Sequence, residues 1–279
     1  MKSKNIALVI IFFSTFAFGC SKDENVNEPK TEVKDSTSIE GFNLVWNDEF
    51  DVNGIPDDTK WSYDLGGNGW GNDELQYYTS DPINVRVKDG KLEIEAHYYK
   101  DAAIKYTSAR LVTRQKGDWL YGKIDVKAKI PSGLGTWPAI WMLSTDWQYG
   151  GWPASGEIDI MEHVGYDQNK IHGSIHTQSY YHKIGTQKSN QVIISTASTE
   201  FHVYSIDWDS TKIDFFVDNE KYFSFSNEHK TSAEWPFDKR FHLILNVAFG
   251  GAWGGAKGID NSCLPAKMEI DYVRVYEKK

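Results

Sequence analysis

The sequence predicts an all-β protein, a single antiparallel β-sandwich of the jelly-roll type over residues 41–279. Three observations predict it. Short runs alternate apolar and polar residues with a period of two, and turn residues separate the runs. In addition, no window of a dozen residues sustains a helical stripe.

The runs are KLEIEAHYY (91–99), GKIDVKAKI (122–130), GEIDIMEHVG (156–165), FHVYSIDW (201–208), KIDFFVD (212–218), HLILNVAF (242–249) and KMEIDYVRVY (267–276). On a strand, successive side chains point to opposite faces, so each run offers one face to a core and one to solvent. Asp89-Gly90, Lys116-Gly117-Asp118 and Asp218-Asn219 mark turns between them. The chain carries no internal repeat. A sandwich of this kind can curve one sheet into an open groove on its concave face.

Outside the sandwich, residues 1–19 read as an export signal, with Lys2 and Lys4 ahead of the apolar run Ile6–Phe18 and Gly19 before Cys20. The segment resembles a bacterial lipoprotein signal, in which the cysteine, here Cys20, becomes the lipidated first residue. The acidic SKDEN after it resembles the surface-export signal of Bacteroidota lipoproteins. A plain signal peptide cut at the same point is the alternative, with a secreted or periplasmic product. Residues 20–40 are polar and charged and read as a flexible tether. With Cys20 acylated, Cys263 has no partner, so no disulfide framework holds the fold. The net charge of −9, unrelieved by any basic cluster, argues against a nucleic-acid partner.

The run GEIDIMEHVG raises the chemical question. Glu157 and Asp159 share one face of a strand and Ile158 and Ile160 the other, but strict alternation turns Glu162 toward the isoleucine side. One extra residue taken up as a β-bulge returns Glu162 to the face of the other two acids. On a helix, Glu157 and Glu162 would diverge by about 140°. Four tryptophans, Trp137, Trp141, Trp147 and Trp152, precede the acids, and Trp253 follows between glycine pairs. Exposed rings of this kind offer platforms to the apolar faces of sugars.

Two carboxylates flanking a groove with aromatic walls form the constellation of glycoside hydrolysis. With one residue lost to the bulge, the two glutamate Cα atoms lie about 13 Å apart, and inward-leaning side chains bring the carboxyls to about 5 Å. That separation favours a retaining over an inverting enzyme. Asp159 lies between the two, close enough to shift their pKa values.

The same residues carry a resemblance. GEIDIME is similar to the bulged E-x-D-x-x-E signature of glycoside hydrolase family sixteen. LVWNDEFD, GNDELQYYT, SARLVTR, HGSIHTQ, NVAFGGAWGG and MEIDYVRVY resemble its laminarinase branch, over about residues 42–277. The resemblance implies a concanavalin-like jelly roll with an open substrate cleft on the concave sheet. It implies that Glu157 is the nucleophile, Glu162 the acid/base, and Asp159 the residue that tunes and orients the nucleophile. It places Asn72, Arg110, Trp137, Trp141, His176 and Trp253 along the sugar-binding cleft. Arg110 can equally be read as the partner of an acid, and His172 with His176 as a metal pair. The strand rhythm through Gly173 and Ile175, with no glutamate directly after His172, argues against the metal pair.

The resemblance thus implies an endo-1,3-β-glucanase acting on laminarin-type β-glucan by retaining double displacement, needing no cofactor for catalysis. It is expected to be monomeric, tethered through its lipid to the outer membrane at the cell surface. The alternatives are hydrolysis of mixed-linkage β-1,3-1,4-glucan or of an algal galactan, and a sandwich that binds carbohydrate without catalysis. The resemblance further implies a structural calcium ion on the convex face, with carbonyls from Glu49 and Gly90 and the carboxylate of Asp271 as ligands.

Overall fold

The computed structural model describes residues 36–279; the export signal, Cys20 and most of the tether expected over residues 20–40 lie outside them. The described chain is built from strands in two sheets, and its helical structure is confined to three single-turn 3₁₀ segments, Gly69–Gly71, His182–Ile184 and Asn261–Cys263. Each period-two run becomes a strand, down to the long C-terminal strand Ala266–Lys278.

The eight-stranded sheet carries the cleft on its outer face. Its order is Lys188–Ile193, Lys170–His176, Glu157–Glu162, Thr136–Ser144, Phe241–Phe249, Arg110–Val112 and Ser62–Tyr63, with Asp118–Trp119 also paired to Phe241–Phe249. The ten-stranded sheet behind it centres on Gly122–Lys129 and Ala266–Lys278. Pairing is antiparallel except between Tyr77–Tyr78 and Tyr106–Ser108, which run parallel, so the expectation of a wholly antiparallel sandwich holds for every other pair of strands. That pair is only two residues long and lies at the sheet edge, where the chain passes from the loop below the cleft into the back sheet.

The strand Glu157–Glu162, called the acid strand below, shows how the pattern works. Ile158, Ile160 and Met161 are all at most 1% exposed and join the core between the sheets, beside Ile140, Met142, Ile175 and Phe215. Burying three large side chains out of four consecutive positions is impossible in a regular pleat. The strand resolves this with a bulge: against Thr136–Ser144, Met161 pairs with Ile140 while Asp159, not Ile160, pairs with Trp141. The register toward Lys170–His176 slips over the same residues. Two glycines fix the ends. Gly156 enters the strand at φ +87°, and a Cβ there would meet Pro236 and Phe237. A Cβ on Gly165 would lie 1.7 Å from the carbonyl oxygen of Gly133, so the loop before Thr136–Ser144 can close onto the acid strand only over a glycine.

On the opposite face, the residues expected to hold calcium come together through strand register. Asp48, the last residue of Phe42–Asp48, pairs with Val273, which places Glu49 next to Tyr272 and Asp271. Asp271 sits where the register against Gly122–Lys129 shifts between Ile270 and Tyr272. On its other side the pairing with Lys91–Tyr98 has run as far as Ile270 with Leu92, one residue from Lys91 and two from Gly90. The side chains have partners of their own: Glu49 accepts Nε and Nη2 of Arg274, both at 2.9 Å, and Asp271 Oδ2 lies 3.2 Å from Lys127 Nζ. Arg274 is 2% exposed and its guanidinium stacks 3.7 Å from the Tyr272 ring centre.

Candidate active site

The bulge decides where the acids point. Glu157 pairs with Leu143 on one side and His176 on the other, and Asp159 with Trp141 and Ser174. Glu162 pairs with Ala139 and His172. Glu157 and Glu162 both line the cleft, and Asp159, 2% exposed, lies between them. His176 approaches from the neighbouring strand: its Nε2 is 3.6 Å from Glu157 Oε1 and 3.3 Å from Asp159 Oδ2.

Each glutamate is held by an indole. Trp152 Nε1 donates to Glu157 Oε2 at 2.9 Å, and Trp137 Nε1 donates to Glu162 Oε1 at 3.0 Å. An indole N–H can only donate, so each fixes one carboxyl oxygen and leaves the other turned to the cleft. Trp137 comes from the adjacent strand, whose alternation puts Trp137, Trp141 and Leu143 on the cleft face and Ile140 and Met142 in the core. Trp152 comes from the long connection between residues 144 and 157. It is enclosed there by Tyr181 and His182, with ring centres 5.7 and 5.3 Å away.

Glu157 lines two halves of the cleft, of about 300 and about 310 Å³, and Glu162 lines the second. One half is lined by Trp70, Arg110, Trp141, Trp147 and Trp152, the other by Trp137, Trp253, His172 and Gln187. Asn72, Glu157 and His182 line both. Trp253 meets Trp137 edge to face at 5.5 Å and His172 at 5.1 Å, forming one wall of the second half.

Below the cleft floor runs a polar network. The Arg110 guanidinium lies between the rings of Trp70 and Trp141, 4.7 Å from each centre, with Nε 3.3 Å from Asp64 Oδ2. Both readings of Arg110 therefore describe the same side chain: it lines the cleft and pairs with an acid. Trp141 Nε1 donates to Asn246 Oδ1 at 2.7 Å, and Asn246 donates to the Tyr78 hydroxyl at 3.0 Å. Glu74 accepts from Gln76 at 2.6 Å, from Tyr78 at 3.3 Å and from Asn72 at 3.3 Å.

The structure thus brings Asn72, Arg110, Trp137, Trp141, His176 and Trp253 to one cleft with Glu157, Asp159 and Glu162, while Glu49, Gly90 and Asp271 lie on the other sheet. Sequence reasoning missed Trp70, Glu74 and His182. Trp70 stands at φ +49° in the 3₁₀ turn Gly69–Gly71, inside GGNGWGNDE, whose glycines mark a loop that presents rather than buries a ring. His182 lies in a polar loop with no period to read.

Comparison with known proteins agrees with this geometry. The family described as glycosyl hydrolases family 16 matches residues 71–274. A β-glucanase of Rhodothermus marinus is 48% identical over 287 positions, covering 99% of this chain and 96% of its own. The crystal structure of the laminarinase from Rhodothermus marinus superposes with a TM-score of 0.83 at 51% identity, over 85% of this chain and 98% of that one. A non-specific endo-β-1,3(4)-glucanase crystallised with 1,3-β-D-cellotriosyl-glucose superposes with a TM-score of 0.82 at 46% identity, covering 86% of this chain and 96% of its own.

Burial is the largest influence on the three acids and pushes each carboxyl up to about 8. For Glu157 and Glu162 the negative charge of Asp159 adds to the rise, while His176 and the indole N–H of Trp152 or Trp137 oppose it. A carboxyl raised in the folded state keeps a proton that the unfolded chain has already released. Folding stability therefore falls as pH climbs from the usual 4.5 through about 8, and the penalty is greatest above that window. Glu162→Gln removes one of these charges and retains an oxygen to accept from Trp137. It should melt a few degrees above the wild type at pH 8, at about 2–4 °C per kcal/mol. The gain should shrink toward pH 5 in scanning calorimetry, and an equal shift at both pH values would contradict this account.

Proposed function

The chain belongs to glycosyl hydrolase family 16, and from that premise we propose that it is a retaining, endo-acting hydrolase of β-1,3-glucan of the laminarin type. The observation that carries the reading is the bulged acid strand. It turns two indole-held carboxyls into one cleft, and the cleft has a half on either side of Glu157. A cleft with sugar-sized room on either side of the nucleophile suits cleavage within a chain. The R. marinus relatives, named as β-glucanase and laminarinase, support the glucan.

In the first step the carboxylate of Glu157 attacks the anomeric carbon while Glu162 gives its proton to the departing glycosidic oxygen, leaving a covalent glycosyl ester on Glu157. In the second, Glu162, now ionised, takes a proton from water as that water attacks the same carbon and releases Glu157. Trp152 Nε1 and the nearby His176 favour the ionised form of Glu157 against the rise that burial gives all three acids, and that same rise lets Glu162 hold its proton until a leaving group is in place. Asp159 and His176 orient the nucleophile. Trp137, Trp141, Trp253, Asn72 and Arg110 form the sugar-binding surface, with Trp141 braced by Asn246 and stacked against Arg110. No cofactor takes part. Mixed-linkage β-1,3-1,4-glucan is the second reading, favoured by the 46% identical enzyme named for both linkages.

The roles have distinct signatures. Glu157→Ser should lose at least about 10⁴-fold in turnover on laminarin, an effect comparable with removing a covalent nucleophile. Azide should rescue Glu162→Ala with a β-azide product and Glu157→Ala with an α-azide product; the reverse pattern would exchange the two assignments. Products from laminarin, barley glucan and agarose, compared side by side, rank the substrates.

We also propose a structural calcium ion where Glu49, Gly90 and Asp271 converge. A strand end, a turn and a bulge bring Glu49, Gly90 and Asp271 near one another by strand register, and oxygen donors suit this ion. Lys127, beside Asp271, is the cation that it would have to share that carboxylate with. Since an ion bound only by the folded state stabilises it by mass action, a chelator should lower the wild-type melting midpoint and leave Asp271→Ala unaffected. An unchanged wild-type midpoint counts against the ion.

For location, we propose an outer-membrane lipoprotein facing the cell surface, on the strength of MKSKNIALVIIFFSTFAFGC followed by SKDEN. Cys20→Ser should abolish incorporation of a labelled fatty acid and shift the enzyme from the membrane to the soluble fraction. Labelling that persists without Cys20 would contradict the anchor.

A further inference from the structure

Among the described residues, one group of histidine, aspartate and glutamate side chains gathers three metal-ligating atoms: those of Glu157, Asp159 and His176, all within 4.8 Å of one another. His176 Nε2 stands 3.3 Å from Asp159 Oδ2 and 3.6 Å from Glu157 Oε1. Ligand atoms about 2.0–2.2 Å from a tetrahedral zinc ion lie about 3.3–3.6 Å from one another, so two edges of the triangle already have that length.

Other features point to a ligand at the same place. Asp159 is 2% exposed, and its Oδ2 has His176 Nε2 3.3 Å away without the geometry of a hydrogen bond. Trp152 donates to Oε2 of Glu157, and Oε1 is the oxygen on the His176 side. Such hydrogen bonding to the distal oxygen is how surrounding groups orient a ligating carboxylate. Glu157 and His176 line the cleft, which leaves a fourth coordination position open to solvent.

We propose that Glu157, Asp159 and His176 form a binding site for a zinc-class divalent ion, and that occupation of this site excludes the polysaccharide. One imidazole nitrogen with two carboxylate oxygens suits zinc, copper or nickel, whereas calcium asks for six to eight oxygens. His172, four residues before His176, takes no part: its ring is packed edge-on against Trp253, and it stands across from Glu162 rather than Glu157. The metal takes the nucleophile's own oxygen, so it acts as a reversible inhibitor. This last consequence rests on the hydrolase reading, whereas metal binding itself does not.

Calorimetric titration of zinc sulfate into the mature chain tests the site without using activity. Wild type and Glu162→Gln should each bind one ion, and His176→Gln and Asp159→Asn should bind it at least about tenfold more weakly. Melting curves identify which variants are folded. If neither ligand variant folds, displacement of zinc from Glu162→Gln by a laminarin oligosaccharide carries the test. Zinc affinity unchanged in a folded His176→Gln and Asp159→Asn, or zinc and oligosaccharide bound together on Glu162→Gln, would overturn the proposal. An oligosaccharide that fails to bind Glu162→Gln in the absence of zinc counts against the glucan reading alone, and the metal site is then judged on the two ligand variants.

Discussion

The cleft depends on one misalignment in one strand. Between Asp159 and Glu162 the chain inserts a residue that neither neighbouring strand matches, and this converts an ordinary alternating sequence into three acids facing one way and three apolar side chains facing the other. Without the bulge, Glu162 would point into the space now filled by Ile158, Ile160 and Met161, where an ionised carboxyl is far too costly to bury. The apolar side enforces the bulge as much as the acidic side exploits it. Both Ile160 and Met161 must reach the core, and only an irregular strand lets consecutive residues do so.

Gathering the acids has an electrostatic cost that the surrounding residues reduce but do not remove. Two indole N–H groups, one imidazole and the open cleft stabilise the negative charge, yet burial still keeps all three carboxyls well above their ordinary range. That residual cost is useful. A retaining hydrolase needs one carboxyl ionised and its neighbour protonated at the same pH, and coupled groups with raised pKa values hold such a divided state more readily than isolated ones. The geometry that makes Glu157 and Asp159 share the approach of His176 also makes them resemble a metal site, because a shared proton and a shared cation ask for the same inward-facing oxygens.

Much of this was legible in the sequence because it depends on local period. The alternating runs correspond to seven of the eighteen strands, with ends within three residues, and the broken rhythm of GEIDIME marks the bulge. Trp137 and Trp141 were readable as cleft residues because they stand two turns of the pleat apart on an alternating strand. The short parallel pair at the sheet edge was not readable: two residues are too few to carry a pattern, and their direction is set by the route the chain takes between sheets.

What stayed hidden is the set of contacts that span long loops. Nothing in the spacing of WPASGEID could show that Trp152 reaches the carboxyl five residues later, since the loop between residues 144 and 157 has no regular repeat and its path is set by tertiary packing against Tyr181 and His182. The same holds for Arg110, whose two aromatic neighbours come from positions 70 and 141 and whose acidic partner comes from position 64. Period reveals which face a side chain takes, but not which loop will close over it. In this fold the strands supply the acids, Trp137 and His176, and a loop supplies Trp152, the donor on the nucleophile, so strand positions give the place of the chemistry and a loop residue adjusts its protonation. Two family members with the same acid strand can therefore differ in pH behaviour and substrate through residues such as Trp152 and His182, which touch the nucleophile or its indole partner from outside the sheet.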